Sequence, residues 1–277
     1  MFTSFKELEA YALGCGMKKR IALANAHDEP APSAVVNARR KGVVEGTLVG
    51  KKNEIIAMLH EMGESENDYE IVDFDGEELD AAKLTVQLVR EGKADIPMKG
   101  ILQTSNFARA ILNRETGLIP ASGKRLVSQC GIFEYEGRFV MITDAAINIA
   151  PDVDTQIGIV ENVTEKMPST VSAREIAERG VPGCIISGPL ALDGAISMES
   201  VKHKSIHDPV AGQADILLVP YIEIGNVLYK ACTYIAGKTM ASTICGASCP
   251  VVITSRADTP DSKYYSILMA VLRCLKA

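Results

Sequence analysis

No apolar run in this chain approaches the ~18 residues of a membrane-spanning helix. No Cys-x-x-Cys pair occurs either, although there are seven cysteines: Cys15, Cys130, Cys184, Cys232, Cys245, Cys249 and Cys274. An odd, scattered set that sits mostly in apolar runs argues against a disulfide framework and for a reduced, cytoplasmic setting. The first twenty residues lack a cationic leader and read as an amphipathic helix. Positive charge is also short: the net charge is −6. Broad binding to nucleic acid or to an anionic membrane is therefore disfavoured, and any phosphate must be met by local positive charge. No Gly-x-Ser-x-Gly elbow is present, which disfavours a serine hydrolase. No His-Glu-x-x-His motif occurs; His203 and His207 share an i, i+4 spacing, but Asp208-Pro209 ends any helix there. Gly14-Cys15-Gly16 precedes its strand and lacks the third glycine of a dinucleotide fingerprint, so a helix cap and turn is expected. Gly237-Lys238-Thr239 ends like a P-loop but lacks its leading glycine, so it too reads as a cap.

The chain has 277 residues, 47% hydrophobic and 23% charged, enough for one large α/β domain or two lobes. Strand and helix patterns alternate through the first ninety-odd residues: strands at 19–24, 42–49 and 69–74, helices at 33–41, 53–61 and 79–91. That order predicts a parallel sheet covered by helices on both faces. Residues 64–68 read as a solvated turn. Segments 125–133 and 138–143 predict a hairpin, an antiparallel element in a parallel design. Beyond it, strands are expected at 157–163, 183–187, 214–219 and 242–247, and helices at 172–179, 193–203, 223–236 and 262–275.

Five segments share one grammar: an apolar strand, then small and polar residues. Pro250 to Thr254 leads to Ser255-Arg256-Ala257-Asp258, where a hydroxyl beside a guanidinium suits an anionic ligand. Met98-Lys99-Gly100 leads to Thr104 and a helix holding Arg109. Ile142-Thr143-Asp144 leads to Asn148, Ile186-Ser187-Gly188 to Asp193, and Val219-Pro220 to Asn226 and Lys230 one helical turn apart. Ligands sit beyond the carboxyl ends of strands in open α/β sheets. Each segment also has a plainer reading. Asp144 and Asp193 suit helix caps, Lys99-Gly100 suits a turn, and Lys230 suits a solvated lysine.

In order, these segments resemble the phosphate acetyl/butyryl transferase family, on its butyryltransferase side. Lys166-Met167-Pro168-Ser169-Thr170, Gly188 to Asp193, Ala211-Gly212-Gln213-Ala214-Asp215 and Gly225 to Lys230 add to the likeness, which runs from about residue 93 onward. The resemblance implies a two-lobed α/β/α sandwich of the isocitrate/isopropylmalate dehydrogenase-like type, with mostly parallel sheets and an antiparallel hairpin. It implies lobes at 1–125 plus 251–277 and at 126–250, with a cleft between them, in a homodimer. The implied reaction is reversible acyl transfer between coenzyme A and inorganic phosphate, with no metal and no redox cofactor. By resemblance, Arg256 and Arg109 bind phosphate or the coenzyme, and Ser255 donates to the developing oxyanion. Asp261 is the candidate base, although in the acetyltransferase branch that role falls one place on, at Ser262. Lys99, Thr104, Thr143, Asp144, Asn226 and Lys230 complete the substrate-binding set.

Two departures stand out. The family's Ser-His pair is Ser128-Gln129 here. Between Asp152 and Ile157, where the family carries a further helix and its lead-in, this chain has only Val153 to Gln156. Residues missing from the sequence, rather than a true deletion, are expected there, because a lobe without that helix would expose an apolar strip. Two other readings stay open. A non-catalytic acyl-CoA or acyl-phosphate binding relative is kept alive by Gln129. A metal-dependent dehydrogenase of the same fold is disfavoured by the lack of clustered aspartates on the late helices.

Overall fold

The computed structural model describes residues 2–16, 18–27, 29–120, 126–164, 169–171, 181, 184–255 and 258–274. The chain divides into two compact units, Phe5–Arg125 with Ala241–Lys276, and Leu126–Met240 with the extreme termini.

In the first unit the strands β1 (Lys19–Ala24), β2 (Val44–Gly50), β3 (Glu70–Asp73) and β4 (Ile96–Lys99) form a parallel sheet in the order β3-β2-β1-β4. Around it run α1 (Phe5–Gly14), α2 (Pro30–Arg40), α3 (Lys52–Glu61), α4 (Glu78–Arg90) and α5 (Thr104–Ile111). Period-two alternation sorts the β1 side chains. Ala22 packs with Val49 and with Leu88 of α4, so Ile21 and Leu23 face the opposite layer. Helix α4 buries Ala81, Ala82, Thr85, Val86 and Leu88, one stripe at helical spacing. Past β4, the sheet edge is extended by Val252. Its carbonyl accepts the Lys99 N–H (3.0 Å) and its N–H donates to the Pro97 carbonyl (3.0 Å).

In the second unit β5 (Ser128–Tyr135) and β6 (Arg138–Thr143) form the expected hairpin. Its turn residues Glu136 and Gly137 both have positive φ (47° and 75°), as a tight right-twisted hairpin requires. Strand β9 (Ile216–Leu218) pairs parallel with β6, and β7 (Ser169–Val171) pairs parallel with β8 (Cys184–Ile186). The helices are α6 (Val153–Thr164), α7 (Leu192–Ile196), α8 (Met198–Lys204) and α9 (Ile222–Lys230), the last continued by a wider turn at Ala231–Ile235. Phe133, Val140, Ile142, Val210, Leu217 and Tyr229 centre the core. Strand β10 (Ala241–Cys245) and helix α10 (Pro260–Arg273) return to the first unit, where Ile244 bridges antiparallel to Val251.

Several expectations are corrected. Residues 157–163 are not a strand but most of α6. Their β-branched content suggests a strand, yet the buried residues are Gly158, Ile159, Val160 and Val163, the last three a helical i, i+1, i+4 set. The Asp152 carboxylate accepts the Thr155 N–H (2.8 Å) and starts the helix. The helix thought to be missing at 151–157 is therefore present. The single helix expected at 193–203 is two, because Ser197 is extended and its side chain caps α8 by accepting the Ser200 N–H. Glu64 is no solvated turn residue: its carboxylate takes the Tyr69 hydroxyl (2.6 Å) and the Arg40 guanidinium (2.7 Å). The helix expected at 172–179 lies outside the described residues.

Candidate active site

In the first unit, two neighbouring strand ends carry the candidates. Lys99 closes β4 and is buried. Its ammonium turns back to donate to the Gly100 carbonyl (3.2 Å) and the Leu102 carbonyl (3.1 Å). Gly100 permits this turn: a Cβ there would lie 2.2 Å from the Ala24 carbonyl oxygen and 2.7 Å from that of Asn25. Thr104 opens α5 and Arg109 sits in its last turn; both are exposed. The entry to α5 is held by Glu78, whose carboxylate accepts from the Gln103 N–H (2.8 Å) and the Asn106 side chain (2.9 Å).

Ser255 follows Val251–Val252, next to β4. Its N–H donates to Asp258 Oδ2 (2.7 Å) and its carbonyl accepts the Asp258 N–H (3.1 Å), so the turn closes on itself. The Ser255 backbone N–H and carbonyl are thus both engaged by Asp258. Thr259 then caps α10, accepting the Ser262 N–H at 3.1 Å. Asp261 is exposed on the first turn of that helix, while Ser262 is buried. Arg256 lies outside the described residues.

In the second unit, Thr143 and Asp144 end β6 and are both buried. Thr143 Oγ1 donates to the Gln129 carbonyl (2.8 Å). Asp144 Oδ1 accepts from the N–H groups of Ala146 (2.9 Å) and Ile147 (3.1 Å); Oδ2 accepts from the backbone N–H (3.1 Å) and side-chain amide (2.6 Å) of Asn148. Burial pushes the Asp144 carboxyl above its ordinary range, against these hydrogen bonds, which act to lower it. Both oxygens thus hold the bend after β6; no helix starts there, since α6 begins only at Val153, so the carboxylate organises a turn and not the helix cap expected. Asn226 is exposed on α9, its amide 3.5 Å from the Ala145 carbonyl. Gly225 sets that helix against the Asp144 turn, since a Cβ there would be 2.8 Å from the Asp144 carbonyl oxygen. Lys230 ends α9 with its ammonium 5.8 and 5.7 Å from the Tyr229 and Tyr234 ring centres.

The structure thus groups Lys99, Ser255 and the start of α10 in one unit, and Thr143, Asp144 and Asn226 in the other. Sequence reasoning passed over Asp258 and Asn148 as site-forming residues, and missed Lys263 altogether. Lys263 is buried on α10 in register with Ile267, Ala270 and Val271. A lysine at a core position of an amphipathic helix was the signal that could have found it. Among the described residues no cluster of His, Cys, Asp and Glu could hold a metal ion.

Two α/β units with strand-end turns of this kind define an α/β enzyme class that other solved structures share. The chain superposes on a branched-chain phosphotransacylase from Enterococcus faecalis with a TM-score of 0.82 at 29% identity, covering 94% of this chain and all of that one. It also superposes on a 4-hydroxythreonine-4-phosphate dehydrogenase from Klebsiella pneumoniae at a TM-score of 0.51 and 10% identity, which speaks to fold alone. A phosphate butyryltransferase from Clostridium acetobutylicum is 39% identical over 301 aligned positions, with 98% of each chain covered. The chain belongs to the phosphate acetyl/butaryl transferase family, whose model matches residues 77–169 and 162–271. The alignment with the Clostridium protein is longer than this chain's 277 residues, so that relative carries residues absent here. The family match breaks at 162–169, at the end of α6, rather than at 151–157.

Proposed function

We propose that the protein catalyses reversible transfer of a short acyl group, butyryl or a close relative, between coenzyme A and inorganic phosphate. Family membership carries this reading, and the closed turn at Ser255–Asp258 supports it chemically. In the forward direction a phosphate oxygen attacks the thioester carbonyl carbon, the carbonyl electrons move to oxygen, and their return expels the coenzyme as thiolate. The products are an acyl phosphate and a thiolate that takes up a proton. The Ser255 hydroxyl donates to the developing oxyanion, a contact worth about 3–4 kcal/mol in the transition state. Arg256 and Arg109 meet the phosphate or the coenzyme, and Lys99, at the end of β4, adds to substrate binding. Asn226, Lys230 and Thr104 contribute to substrate binding. Asp144 shapes the turn after β6, and Asp261, exposed on the first turn of α10, is the proposed general base.

The setting proposed is cytoplasmic, on the cysteine usage. Among the described residues no helix is long and apolar enough to cross a membrane. A homodimer is proposed as well. Its support is an apolar stripe on α9 and the turn after it, where Val227 is 68% and Ile235 87% exposed. The stripe borders a groove of about 570 Å³ lined by Leu190, Leu192, Ile224 and Leu228. Patches of this kind on soluble chains mark interaction surfaces.

The test is release of free thiol from butyryl-CoA on addition of phosphate, with no nicotinamide present. Phosphate-dependent release that falls by about 10²–10³ in Ser255→Ala is expected. Tight binding of butyryl-CoA without turnover would replace this reading with that of a non-catalytic binding relative.

A further inference from the structure

Lys263 is 2% exposed, among the most buried charged residues described. A buried ammonium is costly unless its protons are used. Here it donates to the main-chain carbonyl of Asp258. The same Asp258 uses its carboxylate to hold the Ser255 N–H and its own N–H to hold the Ser255 carbonyl. Asp258 is itself only 9% exposed. Three of its polar groups are thereby committed, two to the serine and one to the lysine. The lysine is anchored on α10, whose first turn is tied by the Thr259 hydroxyl to Ser262. The chain of contacts runs from a packed helix, through one ammonium, to the residue that closes the serine turn.

We propose that Lys263 is a positioning residue for the reaction: from the core side of α10 it fixes the Ser255–Asp258 turn, and so the direction in which Ser255 presents its hydroxyl. The inference rests on the reading of that turn as the oxyanion and phosphate end of the site. Its chemistry suits the task. A lysine donor to a main-chain carbonyl constrains the turn regardless of the side chains that follow. A small displacement of a catalytic donor costs far more rate than stability, about 10²-fold for 1 Å.

The experiment compares Lys263→Met, of similar length but with no donor or charge, with Ser255→Ala in the full-length protein. Steady-state constants are measured separately for phosphate and for butyryl-CoA, alongside urea unfolding. The expected result for Lys263→Met is a fall in kcat with a rise in the phosphate KM, together about 10- to 100-fold in kcat/KM. The butyryl-CoA KM should stay within about twofold, because positioning acts on the transition state and not on ground-state coenzyme binding. A folded Lys263→Met enzyme with wild-type constants, beside a Ser255→Ala slowed about 10²–10³-fold, overturns the role of the lysine and leaves the site reading standing. An equal loss for both substrates that tracks lowered stability also overturns it, because the lysine is then only structural. A fully active Ser255→Ala overturns the site reading and this inference with it. If Lys263→Met does not fold, Lys263→Gln, which keeps an N–H donor, is judged by the same two constants.

Discussion

Adding one methyl group at Gly100 asks two strands to move apart where they carry the candidate site. The new carbon would sit 2.2 Å from the Ala24 carbonyl oxygen and 2.7 Å from that of Asn25, both backbone atoms of the β1 end. Neither can swing away like the tip of a side chain, so the backbone itself must shift. Overpacking of this kind costs about 1–3 kcal/mol. The shift also stretches two hydrogen bonds, Gly100 N–H to Ala24 O (3.0 Å) and Ile101 N–H to Asn25 O (3.2 Å). Each contributes about 1 kcal/mol. Against this, alanine narrows the unfolded ensemble by about 0.4–1 kcal/mol. The net expectation for Gly100→Ala is a loss of about 2–4 kcal/mol, read as a lowered urea midpoint with an unchanged slope. Gly92→Ala is the comparison: its φ is +72° but nothing lies within 4 Å of the added carbon. It should cost only the left-handed penalty, about 1–2 kcal/mol. Gly100→Ala should also lose more phosphate-dependent turnover than Gly92→Ala, because Lys99 is held by the carbonyls of Gly100 and Leu102. A Gly100→Ala protein no less stable and no less active than Gly92→Ala would refute the argument.

The buried Asp144 gives a pH prediction with a definite sign. Its carboxyl is raised from 3.8 in the fold, chiefly by burial, so the native state holds that proton more tightly than the unfolded chain. The resulting stabilisation is complete below 3.8 and is lost as pH rises through the native value. The stability of wild type relative to Asp144→Asn should therefore be greatest in acid and shrink toward neutrality; a difference that grows with pH counts against it. Cys249 lines a cavity of about 540 Å³ and burial pushes its thiol up to about 12. At pH 8 it should carry about a thousandfold less thiolate than an ordinary thiol, so peptide mapping after brief iodoacetamide treatment should show exposed Cys15 labelled and Cys249 unlabelled. Val227→Glu together with Ile235→Glu, on the exposed stripe after β9, should turn a dimer into a monomer by light scattering while preserving the fold; an unchanged dimer mass would remove that face from the interface.

Much of this protein was legible in one dimension. Alternating β-branched runs and amphipathic stretches placed β1 to β3 and α1 to α4, because a parallel sheet between helical layers leaves little choice of pattern, and the motif at Met98-Lys99-Gly100 marked the end of β4. The hairpin was readable from Glu136-Gly137, and the order of strand-end motifs pointed to the acyltransferase family. Local periodicity failed where composition and burial disagreed. Segment 157–163 is rich in β-branched residues yet helical, because the residues it buries recur at helical spacing. The role of Asp144 was equally hidden: its type and place suited ligand binding or a helix cap, and only the hydrogen-bond donors around it show that it holds the bend after β6 instead. Lys263 stands five residues beyond Asp258 and looks like any helix lysine in print. It takes the fold of α10 to turn that ammonium inward, onto the carbonyl that closes the Ser255 turn. Residue order determines the elements and the chemical inventory of the strand ends. Which of those polar groups face a ligand and which are consumed holding the backbone depends on burial and hydrogen-bond geometry, and these arise only once the chain has packed.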